Sequence, residues 1–285
     1  MVHKFHYLNP TTDVPNTTQT WKEALVLMKT PADIQNVPIL LEGCERANRS
    51  VSVQVRNKII RTAAANNSLH VVVECVKAAK RTGFKLNSSE LVNQLLVLLQ
   101  MRPINKDWNE DKTKTALKQV NLILNVLEDE THAPRGAAKG RYPLYRDPQV
   151  LAARLHLAAA HAVHHQKGKD VGGKVAEYAR ELVMVWPEGA GLLDVHGPEA
   201  YKNREQAKYL TEWNSFLWYA SPVLSALNLA AKVVGVSDAG LGQQLQQRAR
   251  LVEGEVKRAL EADSRKRDGR GEAIYNKLFG PESKP

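Results

Sequence analysis

The chain has 285 residues, of which 43% are hydrophobic and 25% are charged, as in ordinary soluble globular proteins of one large or two modest domains. Its 40 Lys and Arg residues outnumber its 30 Asp and Glu residues, so the formal net charge at pH 7 is +10. This surplus favours a polyanionic partner, either RNA or an acidic membrane surface, without choosing between them. No apolar run reaches the roughly 18 residues that cross a bilayer, so we expect no membrane span.

Residues 1–17 read as a flexible N-terminal segment. They lack the apolar stretch of a secretory signal, and they carry Asp13 without any arginine, which makes a poor organelle-targeting peptide. The two cysteines, Cys44 and Cys75, fall in apolar helical stretches and form no CxxC motif. We interpret them as reduced core thiols of an intracellular protein rather than as a redox or metal pair.

Helical periodicity runs through residues 18–130, and strand signals are scarce. The first two helical stretches are residues 18–29 and 32–47, the second disturbed by Pro38. Later stretches carry apolar residues at helical spacing, and we expect these side chains to be buried. They are Val55, Ile59, Leu69, Val72, Val76, Leu91, Leu95, Leu124 and Leu127.

The helical register breaks at residues 131–147, which together with Pro148 contain three prolines and two glycines and therefore predict a boundary loop. A C-terminal helical region, residues 148–236, follows. Its helical stretches are residues 148–166, 171–186 and 199–234. Pro222 should kink or divide the last of them. Residues 237–285 predict an amphipathic helix followed by a charged tail.

Residues 53–87 read as a helical hairpin closed by Gly83, and this hairpin resembles a known repeat. Its "RNKII" and "GFKLN" stand where the pentatricopeptide repeat typically has "YN-x-LI" and "GikPd", and its 35 residues match the usual repeat length. Leu86 replaces the usual proline, and the next unit is degenerate. The resemblance implies an all-α fold, an α-solenoid of antiparallel helix pairs of pentatricopeptide or tetratricopeptide type, with a more divergent helical C-terminal half.

In that family the fifth and last residues of a unit read one RNA base, and these positions are Asn57 and Asn87 here. The family associates this pair with pyrimidines, and an asparagine amide offers both a donor and an acceptor. Asn93 occupies the place equivalent to Asn57 in the next unit. Alternatively, Asn57 is an exposed helix residue and Asn87 is the N-cap of the following helix.

A basic loop within residues 131–147 is the second candidate RNA contact. It combines cations that can hold phosphates with tyrosines that can stack on bases. The residues are Arg135, Lys139, Arg141, Tyr142, Tyr145 and Arg146. The alternative is a solvated loop whose tyrosines pack on neighbouring helices. A further cluster, Arg265, Lys266, Arg267 and Arg270, reads as a solubilising tail.

The sequence carries no catalytic signature, since GxSxG, GxGxxG and Walker A motifs are all missing. His161 and His165 could share a metal, but no third ligand accompanies them, which favours packing or surface histidines. We therefore expect no enzyme, catalytic residue, metal site, cofactor or small-molecule substrate. Trp213, Phe216, Trp218 and Tyr219 form either core or a partner-binding face.

These observations predict a non-catalytic helical repeat protein that binds RNA or a ribonucleoprotein and also contacts proteins. The resemblance implies mitochondrial gene expression, as a mitochondrial ribosome component or an associated factor, and hence a mitochondrial location. The alternative is a tetratricopeptide-like protein–protein scaffold or an assembly factor for a mitochondrial complex.

Overall fold

The computed structural model describes residues 16–133, 143–203, 206–263 and 269–280, and these residues contain helices and turns but no strand. The predicted all-α class is confirmed. The chain divides into two compact units, unit 1 (Met1–Lys85) and unit 2 (Leu86–Pro285). This division falls inside the stretch that the sequence groups as repeats, because the helices after Lys85 pack against the C-terminal half.

Three helices of unit 1 begin where a polar side chain caps them, at Asn16, Thr30 and Ser52. The side chain of Asn16 accepts from Gln19 N at 3.1 Å, and Thr30 forms a reciprocal capping box with Asp33. The helices are α1 (Thr17–Leu27), α2 (Pro31–Ile34), α3 (Val37–Arg46), α4 (Val53–Ala65), α5 (Leu69–Lys77) and α6 (Ala79–Thr82). The break between α2 and α3 places Pro38 in the first turn of α3, where its missing N–H costs no helical hydrogen bond.

The predicted hairpin is present in unit 1 as α4 followed by α5 and α6. Gly83 closes it in the left-handed region, with φ +66°. All nine side chains expected to be buried along the chain are buried, which confirms the helix phases.

The two cysteines are free. Burial raises the pKa of the Cys75 thiol to about 12, so this thiol is unreactive at neutral pH.

Unit 2 contains the longer helices. They are α7 (Ser89–Ile104), α8 (Glu110–Val126), α9 (Pro148–His165), α10 (Lys174–Val185), α11 (Trp213–Val234), α12 (Ala239–Asp263) and α13 (Arg270–Phe279). Helix α11 packs against α7, α9, α10, α12 and α13. In a solenoid each repeat contacts only its neighbours. Unit 2 is instead gathered around one central helix.

Hydrogen bonds show that α7, α9 and α11 run in the same direction. Near their starts, the Tyr219 hydroxyl donates to Gln94 Oε1 at 3.3 Å. About two turns further along α7 and α11, His156 bridges Gln100 and Ser225. The first turns of these three helices therefore lie together, at what we call the N-terminal end of unit 2.

The helix predicted over residues 199–234 differs from the observed structure in two respects. Residues 199–234 do not form one helix, since 3₁₀ turns at Pro198–Lys202 and Lys208–Thr211 precede α11. The buried Tyr209 and Leu210 hold the second turn against the core instead of extending the helix. Helix α11 also continues undivided through the buried Pro222. Packing on several sides outweighs the hydrogen bond that the proline removes.

The charged tail contains a helix that the sequence pattern did not predict, α13. Its apolar signal is short, and Ile274 is its main buried side chain. The first turn of α13 approaches α11 so closely that a Cβ on Gly271 would lie 2.1 Å from the backbone oxygen of Asn214. Only glycine fits this contact without movement of the chain.

Helix α11 has the length and apolar composition of a membrane span, in contrast to the expectation from the sequence. However, 78% of its most apolar window is buried by the rest of the protein. It is thus the central core helix of unit 2.

His156 is a buried polar residue at the centre of unit 2. Its Nδ1 lies 2.8 Å from Gln100 Oε1, and its Nε2 lies 3.0 Å from Ser225 Oγ. Burial, reinforced by the nearby His164, lowers the pKa of His156 to about 3. The folded protein therefore keeps this imidazole neutral, whereas the unfolded chain protonates it near its ordinary pKa of about 6.5.

Acidification should consequently destabilise the protein through His156. Between about pH 6.5 and pH 3 only the unfolded state binds this proton. The stability that depends on a neutral His156 is therefore fully present above about pH 6.5 and is lost progressively as the pH falls toward about 3. We expect the free energy of unfolding to fall by up to about 1.4 kcal/mol per pH unit below pH 6 from this group. Urea denaturation between pH 7 and pH 5 should show a smaller slope for His156→Gln. The exposed-site control His70→Gln should keep the wild-type slope, and equal slopes for all three proteins would contradict this assignment.

Candidate nucleic-acid interface

The basic loop is anchored at both of its described ends. Arg135, Lys139, Arg141 and Tyr142 lie outside the described residues. Before them, the buried His132 accepts a hydrogen bond at Nδ1 from Leu86 N at 3.0 Å. After them, Leu144 is buried as the first residue of a 3₁₀ turn, Leu144–Arg146. The described residues on both sides of the basic segment are therefore held in place by the core.

Tyr145 and Arg146 present a ring and a cation at the second anchor. Arg146 is exposed and Tyr145 is half-buried. The guanidinium carbon of Arg146 lies 5.8 Å from the centroid of the Tyr145 ring, within the range of a cation–π contact. The two side chains provide the groups that hold a phosphate and stack on a base.

Asp147 fixes the end of the loop onto α9. Its side chain is buried, and one oxygen accepts from Gln149 N at 2.9 Å, which caps the helix. The other oxygen lies 3.2 Å from His196 Nε2. The negative charge of this carboxylate therefore faces inward and does not oppose an approaching polyanion.

Asn93 is buried and does not reach the surface, in contrast to the position expected for an RNA-reading residue. Its Nδ2 donates to Ser89 O at 3.0 Å and to the Tyr209 hydroxyl at 2.9 Å. The Tyr209 hydroxyl donates in turn to Gln149 Oε1 at 2.8 Å. Burial raises the pKa of Tyr209 well above its ordinary value, so the hydroxyl keeps the proton that it donates.

This chain of hydrogen bonds joins the start of α7 to the start of α9. We call Asn93, Tyr209 and Gln149 the anchor network. Since Gln149 is also the residue capped by Asp147, the network reaches the end of the basic loop. In this structure the Asn93 side chain is part of the anchor network inside unit 2 and is not directed to the surface.

The other two asparagines lie in different units. Asn57, in α4 of unit 1, is 5% exposed, and its side-chain oxygen has no hydrogen-bond partner in the described part of the chain. Asn87, in unit 2, is half-buried and directly follows Leu86, so it lies at the first anchor of the loop. Ser88, rather than Asn87, occupies the N-cap position of α7.

Two residues that hold the end of the loop, Asp147 and Tyr209, were not predicted from the sequence. Asp147 carries a recognisable signal, because Asp before Pro at a helix start is typical of an N-cap. Tyr209 has no such signal, since its partners lie 60 and 116 positions away along the chain.

The two histidines considered as metal ligands in the sequence have partners within the protein. His161 lies 3.6 Å from Glu110, and His165 bonds the Trp108 carbonyl at 2.6 Å.

Comparison with known proteins decides the family. A family model described as "Mrp13: Mitochondrial ribosomal protein mS27" matches residues 1–277. The small ribosomal subunit protein mS27 of Neurospora crassa is 40% identical over 295 residues, which cover 97% of this chain and 74% of that protein. The chain belongs to the mS27 family.

Membership in the mS27 family makes the chain a non-catalytic component of the mitochondrial ribosome and gives it a mitochondrial location. The predictions of a mitochondrial ribosomal protein, of its location and of a non-enzymatic role are confirmed. The composition alone allowed an acidic membrane surface as well as RNA, and the family places the chain in a ribosome. The finer resemblance to pentatricopeptide repeats concerns one hairpin of this mS27-family chain.

The anchor network should be needed for stability. Tyr209→Phe removes the hydroxyl that serves Asn93 and Gln149, and leaves both amides buried with unsatisfied groups. We expect a loss of about 1–3 kcal/mol in the free energy of unfolding, measured by urea denaturation. Tyr275→Phe, at a half-buried site on α13, is the matched control and should change stability little. Equal stabilities for the two variants would show that the network contributes nothing.

Proposed function

We propose that this mS27-family chain is a structural subunit of the small ribosomal subunit and contacts RNA through the N-terminal end of unit 2. The observation that carries the proposal is the basic loop, which is anchored on both sides and ends in the Arg146–Tyr145 pair. The assignment to the small subunit comes from the name of the Neurospora crassa relative.

The charge of the loop supports an electrostatic contact with phosphates. Arg135, Lys139, Arg141 and Arg146 occur without an acidic residue before Asp147, and the Asp147 carboxylate is buried. The cations are therefore not neutralised from within the loop. Anchoring the loop ends also reduces the entropy that is lost when RNA binds.

The asparagines take different parts in the proposal. Asn93 acts indirectly, through the anchor network, and Asn87 borders the loop at its first anchor. Base reading by Asn57 and Asn87 stays a prediction from the pentatricopeptide resemblance. The solenoid of antiparallel helix pairs, which the same resemblance implies, also stays a prediction. With one well-formed unit, such reading would concern a single base and would add little sequence specificity.

A second candidate function is protein–protein scaffolding, and exposed apolar side chains in unit 1 favour it. Val26 and Leu27 on α1 are 54% and 77% exposed, and Ile39 and Leu40 on α3 are 69% and 42% exposed. Exposed apolar groups of this size are common where proteins meet. Scaffolding by unit 1 is compatible with an RNA contact through unit 2 in one assembly.

The RNA proposal predicts a salt dependence that comes from the loop. We expect replacement of Arg135, Lys139, Arg141 and Arg146 with Ala to weaken binding to single-stranded RNA. Each lost phosphate contact should reduce the slope of log affinity against log salt by about 0.7, or about 2–3 in all. Fluorescence anisotropy at several salt concentrations measures this slope.

A charge-matched control separates the loop from the general positive charge of the protein. The control variant carries Ala at four exposed lysines outside the loop: Lys112, Lys118, Lys169 and Lys232. Both variants lose four positive charges. If both reduce the slope equally, binding is non-specific, and if the loop variant keeps the wild-type slope and affinity, the RNA contact lies elsewhere.

A further inference from the structure

Trp213, the first residue of α11, is an exposed aromatic side chain at the N-terminal end of unit 2. We infer that Trp213 is a stacking platform for an unpaired RNA base, an inference that rests on the RNA contact proposed above. It extends that contact from the loop to a second, uncharged element of the N-terminal end of unit 2.

The exposure of Trp213 sets it apart from the other aromatic side chains. Its side chain is 42% exposed, whereas Phe216 and Tyr219 on the same helix are 0% and 3% exposed. In the described part of the chain, no other Trp, Tyr or Phe is classed as exposed. Of the aromatic residues on α11, Phe216 and Tyr219 are thus core, Trp218 is half-buried and Trp213 is exposed.

The register of α9 and α11 places Trp213 and Tyr145 at the same end of unit 2. The two helices pack together, and His156 on α9 is hydrogen-bonded to Ser225 on α11. Tyr145 precedes His156 by eleven residues, and Trp213 precedes Ser225 by twelve. Because α9 and α11 run in the same direction, both rings lie before this hydrogen bond, at the N-terminal end of unit 2.

The backbone under Trp213 is held rigidly by α13. Asn214 Oδ1 accepts from Gly271 N at 2.9 Å, and the two segments approach too closely for a side chain at Gly271. Arg270, next to Gly271, is exposed. The backbone that carries Trp213 is therefore pre-organised, which lowers the entropic cost of binding.

The charges near Trp213 indicate contact through the ring face. Lys208 and Arg270 are exposed, Glu212 is exposed, and Glu272 is half-buried, so positive and negative groups balance. An indole face stacks on any base without needing net charge. Exposed tryptophans also anchor protein partners, but the location of Trp213 at the same end of unit 2 as the Tyr145–Arg146 pair favours RNA.

The test compares Trp213→Ala, Trp213→Phe and Val236→Ala in the full-length chain. Val236, beyond the other end of α11, is 88% exposed and serves as a control for loss of an exposed apolar group. Binding of a fluorescein-labelled single-stranded RNA of mixed sequence is measured at about 50 mM and about 200 mM salt. Thermal unfolding of each variant confirms that the fold is intact.

We expect Trp213→Ala to weaken binding by about 5- to 150-fold at both salt concentrations, with the salt slope unchanged. Trp213→Phe, which can still stack, should retain most of the affinity, and Val236→Ala should bind as wild type does. If Trp213→Ala binds RNA as tightly as the wild type does, this inference is wrong and the proposed function still stands. The same holds if the variant binds RNA normally but assembles poorly with ribosomal proteins, because Trp213 would then contact a protein. A wild-type chain that binds no RNA would instead remove the proposed function.

Discussion

Buried hydrogen bonds between α7, α9 and α11 determine how unit 2 is built. His156 bridges Gln100 and Ser225 in the middle of these helices, and the anchor network joins the helix starts. Apolar packing tolerates shifts of one helix along another, but a buried polar group that loses its partner costs about 1–3 kcal/mol. These contacts therefore select one register and one common direction for the three helices.

The common direction has a functional consequence. Because the three helices start at the same end, the segments that precede α7, α9 and α11 meet there. In the described residues those segments carry Asn87, the Tyr145–Arg146 pair and the turn that leads to Trp213. Residues far apart in the sequence are in this way brought to one surface, which a mitochondrial ribosomal protein can turn toward RNA.

The sequence predicted the elements whose signal is local. Helical spacing of apolar residues identified the buried faces, including Ile59 and Leu95, because each face is encoded within a few turns. Gly83 marked the end of the hairpin, since a left-handed residue there requires no long-range partner. The all-α class and the basic character of the loop followed from the same kind of local information.

The rest depended on contacts that no local pattern records. Asn93 matched a base-reading position by alignment alone, yet its exposure is decided by Tyr209, 116 residues away. Residues around Tyr209 read as helix because nothing nearby shows that the tyrosine is drawn into the core. Likewise, α13 is held by the fit of Gly271 against α11, and the sequence shows only a glycine in a charged tail.

The central claim is that the N-terminal end of unit 2 faces RNA in the small ribosomal subunit. Ultraviolet cross-linking of subunits purified through a tag on this chain, followed by mass spectrometry of RNA-modified peptides, tests it most directly. Cross-links should map to residues 131–147 and to the peptide containing Trp213. RNA cross-links confined to other surfaces of the chain, with protein cross-links at this end, would contradict the claim.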